Sequence, residues 1–92
     1  MATFILMGTY SQDAIERISK DRTLKAKGII EANGGIMKSV YVLLGEFDIQ
    51  IITEFPDMKS AMKASIALTK ETDISFSTYE AVTAEEFDQI MS

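Results

Sequence analysis

The chain has 92 residues, none of them cysteine or histidine, and carries a net charge of −5 with a pI near 4.6. The length predicts one domain over residues 1–92, and the missing residue types exclude disulfides, thiolate chemistry and a histidine-ligated zinc or haem site within one chain. The acidic surface disfavours nucleic acid and anionic membranes as partners, and the short N-terminal apolar run predicts neither a signal peptide nor a membrane span. We therefore expect a cytoplasmic domain that holds no metal or cofactor.

The first predicted element is a strand over residues 3–9, where β-branched and apolar residues run past Gly8. Apolar side chains occupy both parities of this strand: Phe4 and Leu6 on one, Ile5 and Met7 on the other. That pattern is typical of a central strand buried on both sides.

A helical pattern follows, with Ser11 as its N-cap and Ile15 and Ile18 on one face. The pattern resumes at Asp21 and ends at Asn33-Gly34-Gly35, a glycine signal for a helix C-terminus. Residues 19–21 leave open whether this region is one helix or two.

Residues 36–44 and 47–55 predict two strands of a hairpin. Gly45-Glu46 between them favours a two-residue type II′ turn, in which Gly45 has a positive φ. The resulting register gives one wholly apolar face, with Leu44 opposite Phe47, Val42 opposite Ile49 and Val40 opposite Ile51. We expect that face to contact the helices.

The next predicted helix begins after Pro56, with Asp57 as its N-cap. Apolar and small residues at helical spacing predict its buried stripe: Met58, Ala61, Met62, Ser65 and Leu68. A fourth strand is predicted over residues 74–81.

The chain ends in a predicted short helix that begins after Thr83. Thr83 and Glu86 match a capping box, and Val82 with Phe87 matches a hydrophobic staple. The apolar side chains of this helix are expected to dock it onto the domain: Phe87, Ile90 and Met91.

The element order β-α-β-β-α-β-α predicts an α+β fold, the ferredoxin-like βαββαβ sandwich with a four-stranded antiparallel sheet and a short C-terminal helix. Both crossovers should be right-handed, so both main helices should cover the same face of the sheet. The other face is expected to be free of helices.

That other face mixes aromatic, aliphatic and polar side chains. The register pairs Leu43 with Asp48, Tyr41 with Gln50, Ser39 with Ile52 and Met37 with Glu54. A solvated face is usually more uniformly polar, and a dry core face would not hold carboxylates. The pattern favours contact with a second protomer around a partly polar cavity, while the alternative of ordinary surface residues stays open.

The hairpin resembles a known family. Residues Leu43-Leu44-Gly45-Glu46-Phe47-Asp48-Ile49, followed by Glu54-Phe55-Pro56-Asp57, look like the signature of the GYD domain family, named for a Gly, Tyr, Asp cluster at this hairpin. Phe47 stands in place of the name-giving tyrosine, so a role for a phenol hydroxyl there is not carried over. The hairpin is also similar to that of the ligand-binding domains of leucine-responsive transcriptional regulators and of dimeric α+β barrels. The resemblance implies a dimeric α+β barrel type of fold and a homodimer more than an activity.

Asp48 is the only strong candidate for a catalytic group, because it is a carboxylate beside an aromatic residue in an otherwise apolar strand. The competing and favoured interpretation is that it accepts backbone N–H bonds at the hairpin. The predicted ligand-binding residues are Tyr10, Tyr41, Leu43, Asp48 and Gln50, with Tyr79 as a further tyrosine near the pocket.

Two charged clusters have ordinary structural explanations. Lys20, Arg22, Lys25 and Lys27 predict a solvated helix face. The acidic residues of the last helix are explained by capping and by the helix dipole instead of a metal ion: Glu85, Glu86 and Asp88.

These observations favour a non-enzymatic, homo-oligomeric domain that binds a small molecule between the sheets of two protomers. The second hypothesis is a cofactor-free enzyme of the dimeric barrel type, such as a monooxygenase or isomerase, that uses Asp48 as acid or base. The third is a structural or interaction module without a ligand.

Overall fold

The computed structural model describes residues 1–17 and 19–92. Within these residues the elements are β1 (Ala2–Tyr10), α1 (Gln12–Glu16), α2 (Lys20–Ala32), β2 (Ile36–Val42), β3 (Ile49–Phe55), α3 (Met58–Thr72), β4 (Ile74–Ala81) and α4 (Ala84–Met91). The strands form one antiparallel sheet in the order β2-β3-β1-β4. This is the ferredoxin-like arrangement, so the predicted fold is confirmed.

Both long helices pack on the same face of the sheet, as predicted. They share one core cluster with alternate residues of the central strands: Phe4, Leu6, Ile51 and Phe55 from β1 and β3, Ala26 and Ile30 from α2, and Ala61, Ala64 and Leu68 from α3. The rings of Phe4 and Phe55 meet edge to face with centroids 6.0 Å apart. These residues form the hydrophobic core of the domain on this face of the sheet.

The first helical region consists of two helices, which answers the question left open by residues 19–21. The Ser11 hydroxyl accepts the Ala14 N–H at the start of α1, and the Ser19 hydroxyl accepts the Arg22 N–H at the start of α2. The predicted place of Ile18 on the apolar face lies outside the described residues.

The C-terminus of α2 needs two glycines for two different reasons. Gly34 has a φ of +81°, and the N–H groups of Gly34 and Gly35 donate to the carbonyls of Glu31 and Ile30 at 3.0 and 2.9 Å. This pair of hydrogen bonds is the Schellman motif. At Gly35 the reason is space, because a Cβ there would collide with the ring of Phe55.

The β2–β3 connection is wider than predicted. The paired strands stop at Val42 and resume at Ile49, and Gly45 does not have a positive φ, so the two-residue type II′ turn was wrong. Leu44 is fully exposed instead of packing beneath the helices. The regular pairing of β2 with β3 ends early because the chain before β3 is bonded to β1 on its other side. There the Asp48 N–H donates to the Gly8 carbonyl at 2.8 Å.

A β-bulge at Lys38 corrects the predicted register at the other end of the hairpin. Ser39 pairs with Ile52 as predicted, but Met37 then pairs with Thr53 instead of Glu54. One extra residue exchanges the two faces of a strand. Met37 therefore packs against the core, and the half-exposed Ile36 takes the place opposite Glu54.

The buried stripe of α3 differs from the predicted one. Its buried residues are small or polar except for one leucine: Ala61, Ala64, Ser65, Leu68 and Thr72. Met58 and Met62, predicted to be core, are exposed together with Ile66. The small residues let the helix lie close to the sheet, and its rotation is set where the hydroxyls of Ser65 and Thr78 approach to 2.6 Å.

The terminal helix α4 forms as predicted but does not dock. Thr83 caps it by accepting the Glu86 N–H at 3.0 Å. Its apolar side chains, expected to pack on the domain, are each more than half exposed: Phe87, Ile90 and Met91. The docking was wrong because α2 and α3 already close the core, which leaves the apolar side of α4 without a partner among the described residues.

Candidate functional site

The face of the sheet turned away from α2 and α3 is the predicted site, and we call it the open face. Strand pairing aligns its side chains in three rows across all four strands. The first row is Tyr41, Gln50, Met7 and Ser77, the second is Ser39, Ile52, Ile5 and Tyr79, and the third is Ile36, Glu54, Thr3 and Ala81.

The apolar side chains of the two central strands lie together on the open face, beside polar groups of the same strands. Ile5, Met7 and Ile52 are partly buried, whereas Tyr41 and Tyr79 on the two outer strands are 55% and 51% exposed. The surface therefore combines an apolar patch with hydroxyl and amide groups that can bind a ligand or a partner chain.

Asp48 lies where β3 enters the sheet, and its polar groups are engaged by neighbouring strands. Its carboxylate accepts the backbone N–H of Tyr10 at 2.8 Å, and its own carbonyl accepts the N–H of Leu43 at 2.8 Å. The favoured interpretation, a carboxylate that accepts backbone N–H bonds, describes this geometry, although the donor is at the end of β1 and not within the hairpin. Asp48 thus ties the ends of β1, β2 and β3 together.

The predicted ligand-binding residues do not lie together. Tyr41 and Gln50 are cross-strand partners on the open face, and Leu43 and Asp48 lie beyond them toward the hairpin. Tyr10 lies on the opposite, helix-covered side of the sheet, where it lines a cleft with residues of α2. Tyr10 and the Tyr41–Gln50 pair therefore cannot line one pocket within a protomer.

The cleft beside Tyr10, which we call the α2 cleft, was not predicted. It lies between the start of α2 and the sheet and has a volume of about 110 Å³. Its walls are mostly apolar and its mouth is polar: Ala26, Val40, Val42, Ile49, Ile51, Ile74 and Phe76 form the walls, and Tyr10, Ser19, Arg22 and Thr23 the mouth. A cavity of this size accommodates a small ligand or several water molecules.

Arg22 is the charged group of the α2 cleft. Its guanidinium lies 5.0 Å from the centre of the Tyr10 ring and donates to the carbonyl of Ala14. The prediction that Arg22 belongs to a solvated basic face was wrong, although Lys20, Lys25 and Lys27 are exposed.

A sequence signal for Arg22 existed. Arg22, Ala26 and Ile30 are spaced four residues apart, and the latter two are the buried residues of α2. Residues at this spacing share one helix face, so the spacing already places Arg22 against the sheet.

Residues 1–17 and 19–92 lack two further classes of site. No group of three carboxylates there is arranged to hold a metal ion. No helix in that part of the chain is long and apolar enough to cross a membrane.

The fold and its half-covered sheet define an α+β domain of the ferredoxin-like class. The GYD domain family matches residues 4–91, so the chain belongs to the GYD domain family and the resemblance seen in the sequence is confirmed. No curated protein matches the chain.

A similar solved structure is the leucine response regulatory protein LrpA of Mycobacterium tuberculosis. It has a TM-score of 0.59 and 8% sequence identity, and the match covers 90% of this chain and 51% of that one. The chain thus spans about half the length of that protein. At this identity the likeness shows a shared fold alone.

Proposed function

We propose that this GYD domain is a homo-oligomeric small-molecule-binding domain in which two copies pair through their open faces and enclose a ligand between their sheets. The observation that carries the proposal is the apolar centre of the open face, where Ile5, Met7 and Ile52 lie uncovered by either long helix. A contiguous apolar patch with a polar surround is typical of an interface.

The polar groups of the open face support a ligand between the copies. When two such faces meet, the Gln50 amide and the Tyr41 hydroxyl leave water and require hydrogen-bond partners. A small polar molecule held between the sheets would satisfy them, as a few placed polar groups do in most ligand sites.

The solved structure of similar fold supports the proposal by analogy. That protein is named a leucine response regulatory protein, and the shared fold makes a sensing role reasonable for this chain. The analogy supplies no ligand, and the residues of this chain have to be tested directly.

A ligand-free assembly module is the second candidate, and one observation favours it. The exposed apolar side of α4, formed by Phe87, Ile90 and Met91, is a second uncovered surface suited to contact with protein. The enzyme hypothesis lacks such support, since the Asp48 carboxylate is hydrogen-bonded to the backbone of β1.

The pairing is tested by comparing Ile52→Lys on the open face with Met62→Lys on the outer side of α3. The wild type and Met62→Lys should sediment as dimers, whereas Ile52→Lys should raise the dimer dissociation constant about 100-fold or more, because it places a charge in the interface. Circular dichroism checks that both variants remain folded. A monomeric wild type, or equal behaviour of the two variants, contradicts the proposal.

The ligand is tested by native mass spectrometry of protein purified from its own host. A dimer whose mass exceeds that of two chains, and loses the excess on denaturation, supports a retained small molecule. A bare dimer favours the assembly module.

A further inference from the structure

The α2 cleft lies on the opposite side of the sheet from the open face and is therefore a separate candidate site. Its walls are aliphatic and aromatic, and a single charged side chain, Arg22, stands at its mouth. No carboxylate is among the residues that line it.

The charge of Arg22 is only partly compensated. The guanidinium is partly buried, stacks on Tyr10 and donates to the Ala14 carbonyl, but no described carboxylate lies within ion-pair distance. The nearby Arg17, by contrast, pairs with Asp73. A guanidinium has five N–H donors, so several remain for an anion.

The N-terminus of α2 adds to the positive electrostatic potential around Arg22. Ser19, the N-cap of this 13-residue helix, also lines the cleft. The positive end of the helix dipole therefore lies beside Arg22, although Asp21 in the first turn of α2 offsets part of it.

We propose that the α2 cleft binds a small aliphatic monocarboxylate, with the carboxylate at Arg22 and the hydrocarbon tail among Val40, Ile49 and Phe76. The cleft volume of about 110 Å³ limits the tail to a few carbon atoms. The site does not require a second copy of the chain, so it is independent of the function proposed for the open face.

The test is an NMR titration of the full chain with acetate, butyrate and hexanoate, with butyramide as the uncharged analogue of butyrate. Binding should tighten about fourfold for each methylene that enters the cleft, until the tail outgrows it. Backbone shifts should map to α2 and the ends of β1 and β3. Equal binding of butyramide, shifts confined to the open face, or no saturation at millimolar acid overturns the proposal.

Matched variants distinguish binding at the α2 cleft from a general effect of positive charge. Arg22→Gln should weaken butyrate binding about tenfold or more, whereas Lys25→Gln on the same helix, which does not line the cleft, should leave it unchanged. Because Arg22→Gln also removes a contact to Ala14, Thr23→Leu provides a second variant that narrows the mouth from an exposed position. Thr23→Leu should weaken butyrate binding about tenfold or more without lowering the melting temperature. Retained binding in both variants excludes the site.

Discussion

The two faces of the sheet use adjacent residues of the same strands for different purposes. On β3, Ile51 is 1% exposed and lies in the core under the helices, whereas its neighbour Ile52 points to the open face and is only partly buried. On β1, Leu6 and Met7 differ in the same way. The helices of the same chain cover Ile51 and Leu6. The open face also has apolar residues at the neighbouring positions, but neither long helix covers them.

This difference shows that an apolar sheet face does not by itself indicate a core that is complete within one chain. The covered face is completed by α2 and α3, whose small residues let both helices approach closely. The open face lacks any such element, so its apolar residues favour a partner chain over an internal function. Direct measurements can separate the two faces.

The largest effect is expected from Ile51→Ala compared with Ile52→Ala. The first should lower the free energy of unfolding by about 2–5 kcal/mol at every protein concentration, because it leaves a cavity in a closed core. The second should cost about 1 kcal/mol or less in the monomer and more at concentrations where copies associate. Urea denaturation at low and high protein concentration measures the loss in the free energy of unfolding for both variants. Equal losses at low concentration would contradict the difference between the two faces.

A smaller effect is expected from the glycine pair on and after α2. Gly35→Ala should destabilise the covered face by about 1–3 kcal/mol, because the new Cβ collides with the Phe55 ring. Gly28→Ala is the matched control: no atom lies within 4 Å of its new Cβ, and alanine should stabilise the helix by about 0.5–1 kcal/mol. Thermal unfolding measures the opposite signs, and a destabilised Gly28→Ala would show that α2 is packed differently.

The smallest effect concerns the cap of α3, the helix over β1 and β4. The hydrogen bond from the Ser60 backbone N–H is the main cause that lowers the pKa of Asp57 below its ordinary value of 3.8. The unfolded chain then binds this proton more readily than the folded one, so the stabilisation is present above about pH 4 and is lost as the pH falls through the lowered pKa.

Asp57→Asn isolates this contribution, since asparagine also caps a helix but does not titrate. The difference in melting temperature between the wild type and Asp57→Asn should be constant above about pH 5 and should shift against the wild type in stronger acid. A difference that stays constant down to about pH 2 would mean that Asp57 has the same pKa in the folded and the unfolded chain, so that its charge adds nothing to the cap.

The fold could be predicted from the sequence because its signals are local and agree with one another. Ser11, Asp57 and Thr83 were recognised as caps, and all three accept the expected backbone N–H. The apolar residues on both parities of β1 identified a central strand. Strand order then follows from the short hairpin and the handedness of the crossovers.

The missed features depend on tertiary contacts that periodicity does not show. The bulge at Lys38 lies in the pairing of β2 with β3, and the wide hairpin occurs where Asp48 bonds to β1. The observed rotation of α3 includes a contact between Ser65 and Thr78. For the candidate site, the open-face pair Tyr41 and Gln50 was found from register alone, but the face of Tyr10 was not. Tyr10 has the same parity along β1 as the buried Phe4. This parity would have placed Tyr10 on the face of the sheet under α2.

The Lys38 bulge also bears on how sheets could grow from one molecule to the next. β2 and β4 are the outer strands, and outer strands carry unpaired backbone groups that another chain can extend. The bulge twists β2 away from regular pairing and puts a lysine at the irregular position, whereas β4 pairs with β1 over its whole length without interruption. A strand added by another chain would therefore find a more regular partner in β4 than in β2.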